Sequence, residues 1–202
     1  TSDILPSINF IYSVKENMNL RFAYTKTLAR PTFREAGPFY TFDFAGGYTT
    51  LGNPELTRTL ITNYDFRWEW FSRPGEIYAA SIFYKNFDKP IEKILKTDKE
   101  VSWVNTDNAL TYGIELEARK KLDIIHSFLS DFTLGANLSL TYSEVEKADE
   151  EYSAWGSDIG PEDADSLNIS KTRPFQGQSP YLANVNLSYD NYDMGLSGSI
   201  YY

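Results

Sequence analysis

Eight times along this chain, apolar and polar residues alternate at every second position, and the connections between these stretches are by turns short and long. Successive side chains of a strand point to opposite faces, so each stretch makes one apolar and one polar face. The sharpest is residues 63–71, NYDFRWEWF, where Tyr64, Phe66, Trp68 and Trp70 alternate with Asp65, Arg67 and Glu69. The others are 7–14, 18–25, 77–84, 112–119, 131–145, 181–189 and 194–200. The connections at 15–17, 72–76, 121–130 and 190–193 are short or of medium length. Those at 29–59, 88–110 and 147–178 are long and read as loops, the second as an irregular stretch with part of it open to strand extension around Trp103. In an up-and-down sheet every second connection lies at the same end, so one end carries turns and the other carries loops. Outer-membrane barrels are built this way.

The predicted fold is therefore all-β: an antiparallel up-and-down meander of about eight strands. It spans 1–202 as a partial barrel domain, part of a larger transmembrane β-barrel, and an open curved sheet if isolated. Two other readings place the same alternation. One is a complete eight-stranded barrel, which needs the last strand to pair with the first. The other is a soluble β-sandwich binding carbohydrate, with Trp68 and Trp70 between two sheets.

In the barrel reading the aromatic set meets lipid: Phe10, Tyr12, Phe22, Tyr24, Tyr64, Phe66, Trp68, Trp70, Tyr84, Tyr112, Phe132, Tyr142 and Tyr189. The polar set lines the lumen: Arg21, Asp65, Arg67, Glu69, Glu115, Glu117, Arg119 and Asn137. Residues 131–145 show the layering expected of two interfacial girdles, with Phe132 and Tyr142 flanking Leu134 to Leu140.

Composition agrees. Aromatic residues make up 16% of the chain, led by 15 Tyr, and mean hydropathy is −0.42. No run approaches the roughly 18 apolar residues of a membrane helix, which leaves barrels open. A net charge of −9 speaks against nucleic acid. With no cysteine and one histidine there is no disulfide framework, no thiolate chemistry and no zinc site. The opening TSDILPSINF lacks a signal peptide's basic head and apolar core, and Thr1 in place of Met fits a fragment or processed chain.

Several stretches resemble the barrel of TonB-dependent receptors, most closely the type common in Bacteroidetes. They are TLARPTFRE (27–35), GNPEL (52–56), NYDFRWEWFSRPGEIYAASIFYKNFDKPIE (63–92), YGIELEARKKL (112–122) and GQSPYLANVNLSYD (177–190). The resemblance implies a place in the later part of a barrel of about 22 strands closed by a plug. It implies the bacterial outer membrane, uptake of a siderophore, cobalamin, glycan or peptide, and energy drawn through TonB. No plug segment and no TonB-contacting segment is matched here.

No catalytic constellation stands out, no cofactor is expected, and the chain reads as a non-enzyme. His126 reads as a turn residue, and Glu115 with Glu117 as part of a mixed-charge wall. The acidic run through Asp149, Glu150, Glu151, Asp158, Glu162, Asp163 and Asp165 lacks calcium-loop spacing and reads as a solvated face. Asn137-Leu-Ser, Asn168-Ile-Ser and Asn186-Leu-Ser match a glycosylation pattern by coincidence, and Gly46-Gly47 reads as loop. Ligand contacts are expected from the long loops: Arg30, Arg34, Phe39, Tyr40, Trp103 and Trp155, with Phe42, Phe44, Tyr48 and Tyr152 as further loop aromatics. Packing within the loops, with Arg30 or Arg34 on Asp43 or Glu35, is the competing account of the same residues.

Overall fold

The computed structural model describes residues 2–42, 44, 47–97, 99–153, 160–164, 166–191 and 193–202. β1 (Ser7–Lys15) and β2 (Met18–Ala29) are followed by one helical turn, α1 (Phe33–Ala36), and two short strands, β3 (Tyr40–Phe42) and β4 (Thr49–Leu51). Next come β5 (Thr59–Trp70), β6 (Ile77–Asp88), β7 (Ile91–Thr97), β8 (Glu100–Asn105), β9 (Asn108–Lys121) and β10 (Phe132–Glu146). The chain ends with α2 (Asp149–Ser153), β11 (Thr172–Arg173), β12 (Tyr181–Asn191) and β13 (Leu196–Tyr201).

The main sheet runs β1-β2-β5-β6-β9-β10-β12-β13, with β11 added beside β10. Every neighbouring pair along it is antiparallel. The eight expected strands are thus present and in order. Among the described residues β1 and β13 each pair with one strand only, so the eight do not close on one another. That sets aside the complete small barrel. A second sheet exists, but it is a four-stranded sheet made of loop residues, β3-β4-β8-β7, and not the second layer of a sandwich.

This second sheet orders the 88–110 stretch, where strand was expected only around Trp103. Most of that stretch is the β7–β8 hairpin, and β9 already begins at Asn108. β8 pairs in parallel with β4, which ties the second long loop to the first. Loop chemistry explains the local order. Thr32 and Glu35 form a reciprocal capping box on α1, Glu35 N–H donating to Thr32 Oγ1 at 3.3 Å and Thr32 N–H to Glu35 Oε2 at 2.7 Å. Gly52 is required because a Cβ there would collide with the Gly37 carbonyl.

Buried apolar residues gather at this loop end. Ile94, Val101, Val104, Val145, Ala148, Tyr152 and Ala164 are all buried. The main sheet by contrast leaves Phe10, Phe22, Phe66, Ile82, Ile114, Leu116 and Leu140 exposed. An apolar face of that extent has no covering layer within the described residues.

The tight turns lie at the other end. Pro74 and Gly75 (φ +84°) occupy the middle of a turn closed by Glu76 N–H donating to Arg73 C=O at 2.9 Å, the type II arrangement. The hairpin ends are staggered. Met18, Trp70, Tyr78, Ala118, Ala136 and Val185 form one row across the sheet. β2 begins at that row, β10 begins four residues beyond it at Phe132, and β12 runs six residues beyond it to Asn191.

Candidate functional site

Register puts the two residue sets on opposite faces. On the aromatic face, Tyr24, Tyr64, Tyr84, Tyr112 and Tyr142 stand directly opposite one another across five consecutive strands. Ring centroids are 5.2 Å apart for Tyr24–Tyr64, 6.4 Å for Tyr64–Tyr84 and 5.1 Å for Tyr112–Tyr142. One step towards the turns, Phe10, Phe22, Phe66, Ile82, Ile114 and Leu140 form a row. Nearer the turns, Trp70 stacks on Tyr78 at 5.5 Å and Phe132 tilts against Tyr189 at 4.9 Å. Tyr12 and Trp68 share this face through Leu20.

The opposite face holds Arg21, Asp65, Arg67, Glu69, Glu115, Glu117, Arg119 and Asn137. Their charges interlock across four strands. Glu69 accepts from Arg21 Nε at 2.7 Å and from Arg67 Nε at 2.9 Å. Arg67 also donates to Ser81 Oγ at 3.1 Å and to Glu117 Oε2 at 2.8 Å. Asn184 Nδ2 donates to Asn137 Oδ1 at 2.8 Å. Glu117 is thus a structural partner of an arginine. Gly113 lies on this face with the Phe83 ring against it, where an added Cβ would come 2.6 Å from Phe83 Cζ.

A second ion cluster joins two hairpins at the turn end. Glu76 is buried, and its carboxylate accepts from Arg73 at 2.5 Å, Lys120 Nζ at 2.8 Å and Ser72 Oγ at 2.6 Å. Arg73 also holds Asp123 at 2.7 Å. The Arg73 hydrogen bonds, ahead of burial acting the other way, hold Glu76 well below the usual carboxylate range, and Asp123 is lowered by the same guanidinium. His126 Nδ1 accepts from Phe128 N–H at 3.1 Å and caps a short 3₁₀ turn, which is a structural role. Among the described residues no group of His, Cys, Asp and Glu has the makings of a metal site.

The three long loops form one connected body. Arg173 is mostly buried between Glu92 on β7 and Glu151 on α2, at 2.8 Å from each. Asn53 Nδ2 donates to Trp103 C=O at 3.0 Å, and Gln176 Nε2 to Lys93 C=O at 2.8 Å. Of the expected ligand contacts, Arg30 is exposed beyond β2, and Arg34 is exposed on α1. Phe39 packs on exposed Phe33 at 5.6 Å, and Tyr40 is exposed on the edge strand β3. Phe42, Phe44 and Tyr48 are exposed close by. Trp103 stands apart from them, half-buried under Lys93 Nζ at 5.7 Å. Tyr152 is buried and packs, so it is not a projecting loop aromatic. Trp155, Asp43, Gly46, Asp158 and Asp165 lie outside the described residues. The ion partners Glu76 and Arg173 were not singled out from sequence. Arg73 and Glu76 sit at i, i+3 around Pro-Gly, a local signal. Arg173 and Glu92 are 81 residues apart and leave none.

An unclosed antiparallel meander with an aromatic face, a charged face, turns at one end and a folded loop cap at the other is a section of β-barrel wall. The chain matches the TonB dependent receptor-like β-barrel family over residues 1–202, and it belongs to that family of outer-membrane receptors. Solved structures share the fold. The siderophore receptor PirA from Pseudomonas aeruginosa is 15% identical with a TM-score of 0.59, over 98% of this chain and 30% of that one. A mutant of the ferric enterobactin receptor PfeA from the same organism, in complex with enterobactin, is 16% identical with a TM-score of 0.59, over 94% and 26%. A double mutant of the hemophore receptor HasR of Serratia marcescens, in complex with its hemophore HasA and heme, is 11% identical with a TM-score of 0.63, over 98% and 31%. The chain therefore spans less than a third of each. No curated protein matches it.

Proposed function

We propose that this chain supplies wall and outer loops to a receptor that imports a scarce nutrient across the outer membrane. The observation that carries the reading is the division of one sheet into two faces, with all three long loops at one end. The aromatic face, from Phe10 to Tyr189, meets lipid, and the face bearing Arg21, Arg67, Glu69 and Glu117 lines a polar lumen. The charges there neutralise one another across strands, as a wall beside water and a plug requires. The segment binds and contains but does no bond chemistry. A plug in the lumen and energy coupling through TonB complete the scheme.

Phe39, Tyr40 and Arg30, exposed on the first loop, are the favoured nutrient contacts, with Arg34 and Trp103 behind them. Trp155 remains in the same proposed set. The neighbours bind ferric siderophores or a heme carrier, so an iron-bearing chelate is the first ligand to try.

Single cysteines at Trp68, Trp70, Leu138 and Leu140, and at Arg67, Glu69, Asn137 and Ser139, test the wall in outer-membrane vesicles. The chain has no cysteine of its own. The first group should resist water-soluble thiol reagents and the second react. Equal reaction at both would end the barrel reading. Phe39→Ala with Tyr40→Ala should lower uptake about tenfold while leaving that accessibility pattern unchanged, a loss of about 1.4 kcal/mol in binding.

A further inference from the structure

The turn between β9 and β10 carries a cluster of exposed apolar side chains. Residues 122–131 make two 3₁₀ turns, and Ile124, Ile125 and Phe128 stand 70%, 71% and 79% exposed. They are not buried by the turn's own fold, and the intervening His126 and Ser127 are polar. Resting on the wall reading above, we propose that this turn is a lipid anchor. Ile124, Ile125 and Phe128 insert into the headgroup–acyl boundary of the periplasmic leaflet, beside the barrel.

Three observations point to lipid. The first is position. Asp123, next to Ile124, is held by Arg73, which shares Glu76 with Lys120. Lys120 lies on the same face as Leu116 and Ala118, so the cluster pulls the turn towards the aromatic face and away from the lumen. The second is continuity. Phe132, which follows the turn, packs on Tyr189 on that face, and the neighbouring turns expose Phe71 and Met194 at the same end. The patch extends the lipid-facing belt past the strand ends. The third is charge. Arg73 and Lys120 offset Glu76 and Asp123, so the collar beside the patch carries no net charge. Apolar burial is then the driving force, and interfacial insertion of isoleucine and phenylalanine supplies it.

The test places a single cysteine at Ile124, Ile125, Phe128, His126, Ser127 or Leu138 of the full-length receptor. Each carries an environment-sensitive nitrobenzoxadiazole label in phosphatidylcholine–phosphatidylethanolamine vesicles. Lipids with a nitroxide near the headgroup should quench labels at 124, 125 and 128 at least threefold more than labels at 126 and 127, at low and high salt alike. Equally weak quenching at all five turn positions places the turn in water, and equally strong quenching removes the assigned role of the three apolar side chains; either overturns the anchor. Shielding that appears in native outer-membrane vesicles but not in pure lipid points to a protein partner and overturns it too. The label at Leu138 separates the two readings. If it reports lipid while the turn does not, the barrel stands and only the anchor falls. If it reports water, both fall.

Discussion

The Arg67 guanidinium on β5 reaches past β6 to the Glu117 carboxylate on β9, 2.8 Å away, while its Nε holds Glu69 on its own strand. One side chain thus fastens three consecutive strands on the charged face. Arg67→Met should leave Glu69, whose side chain is only 9% exposed, with Arg21 alone. The expected cost is about 1–3 kcal/mol, the scale of hydrogen bonds to charged groups with a buried partner left short. Unfolding of the detergent-solubilised receptor in denaturant measures it. An unchanged midpoint would mean that water replaces the guanidinium at no cost.

The turn-end cluster should be visible in acid. Glu76 is held below its ordinary value of 4.5, first by Arg73. A carboxylate with a depressed folded value stabilises the native state fully above its unfolded value. That contribution fades as pH falls below about 4.5 towards the folded value. Wild type should therefore exceed Glu76→Gln in thermal stability by a constant margin from pH 7 to 5, and the margin should shrink below pH 4.5. A margin independent of pH down to 3 would show that the cluster acts by packing alone.

At Gly113 on the charged face, the Phe83 ring closes over the space that a Cβ would need. Gly113→Ala drives a methyl into Phe83 and the Leu140 carbonyl, with an expected cost of about 1–3 kcal/mol for overpacking. Adding Phe83→Leu should recover only part of that, because the carbonyl contact stays. Full recovery would assign the whole cost to the ring.

Tyr112 and Tyr142 tilt against each other at 5.1 Å. A double-mutant cycle with leucine at each position should give a coupling of about 0.5–1.5 kcal/mol, the range for aromatic pairs. Coupling indistinguishable from zero would reduce the tyrosine row to independent contacts.

Arg173 latches the third loop to the second. Arg173→Met leaves Glu92 and Glu151 facing each other without their cation, so residues 147–178 should open. Trypsin or a nonspecific protease applied to whole cells should cut there at least fivefold faster than in wild type. Unchanged cutting would place the latch elsewhere, Tyr152 under Lys147 being the next contact to remove.

Strand order and both faces of the main sheet were legible in the sequence because each face carries its own class of residue, although Ile77 and Phe83 blur the alternation on β6. β7 and β8 were not. IEKILKT mixes charges with apolar residues on both faces, and EVSWVN mixes polar with apolar residues on both, since these strands belong to the loop body and not to the wall. Glu92, buried beside Ile94, is charged on what would be read as a core face, and its partner Arg173 lies far along the chain. Which charges of the lumen set pair with which was equally hidden. Arg67 and Glu117 meet only because register places their strands two apart. The first loop did carry a local signal in Thr32-Phe-Arg-Glu35, a capping-box sequence.

The stepping of the hairpin ends fixes how the wall must stand. Between β2 and β12 the ends advance six residues over five strand steps. At about 3.3 Å per residue and about 4.8 Å per step, a level rim requires strands leaning by about 40°. Spanning barrels lean by about 35–45°. Tyr24 stands six residues from the start of β2 and Tyr142 ten from the start of β10, so their heights above that rim are about 15 Å and about 25 Å. The tyrosines that form a straight row in the sheet therefore form a ramp relative to a level rim. If the aromatic face meets lipid as proposed, an apolar band about 25 Å tall puts Tyr142 at the far headgroups and leaves the phenol of Tyr24 among acyl chains.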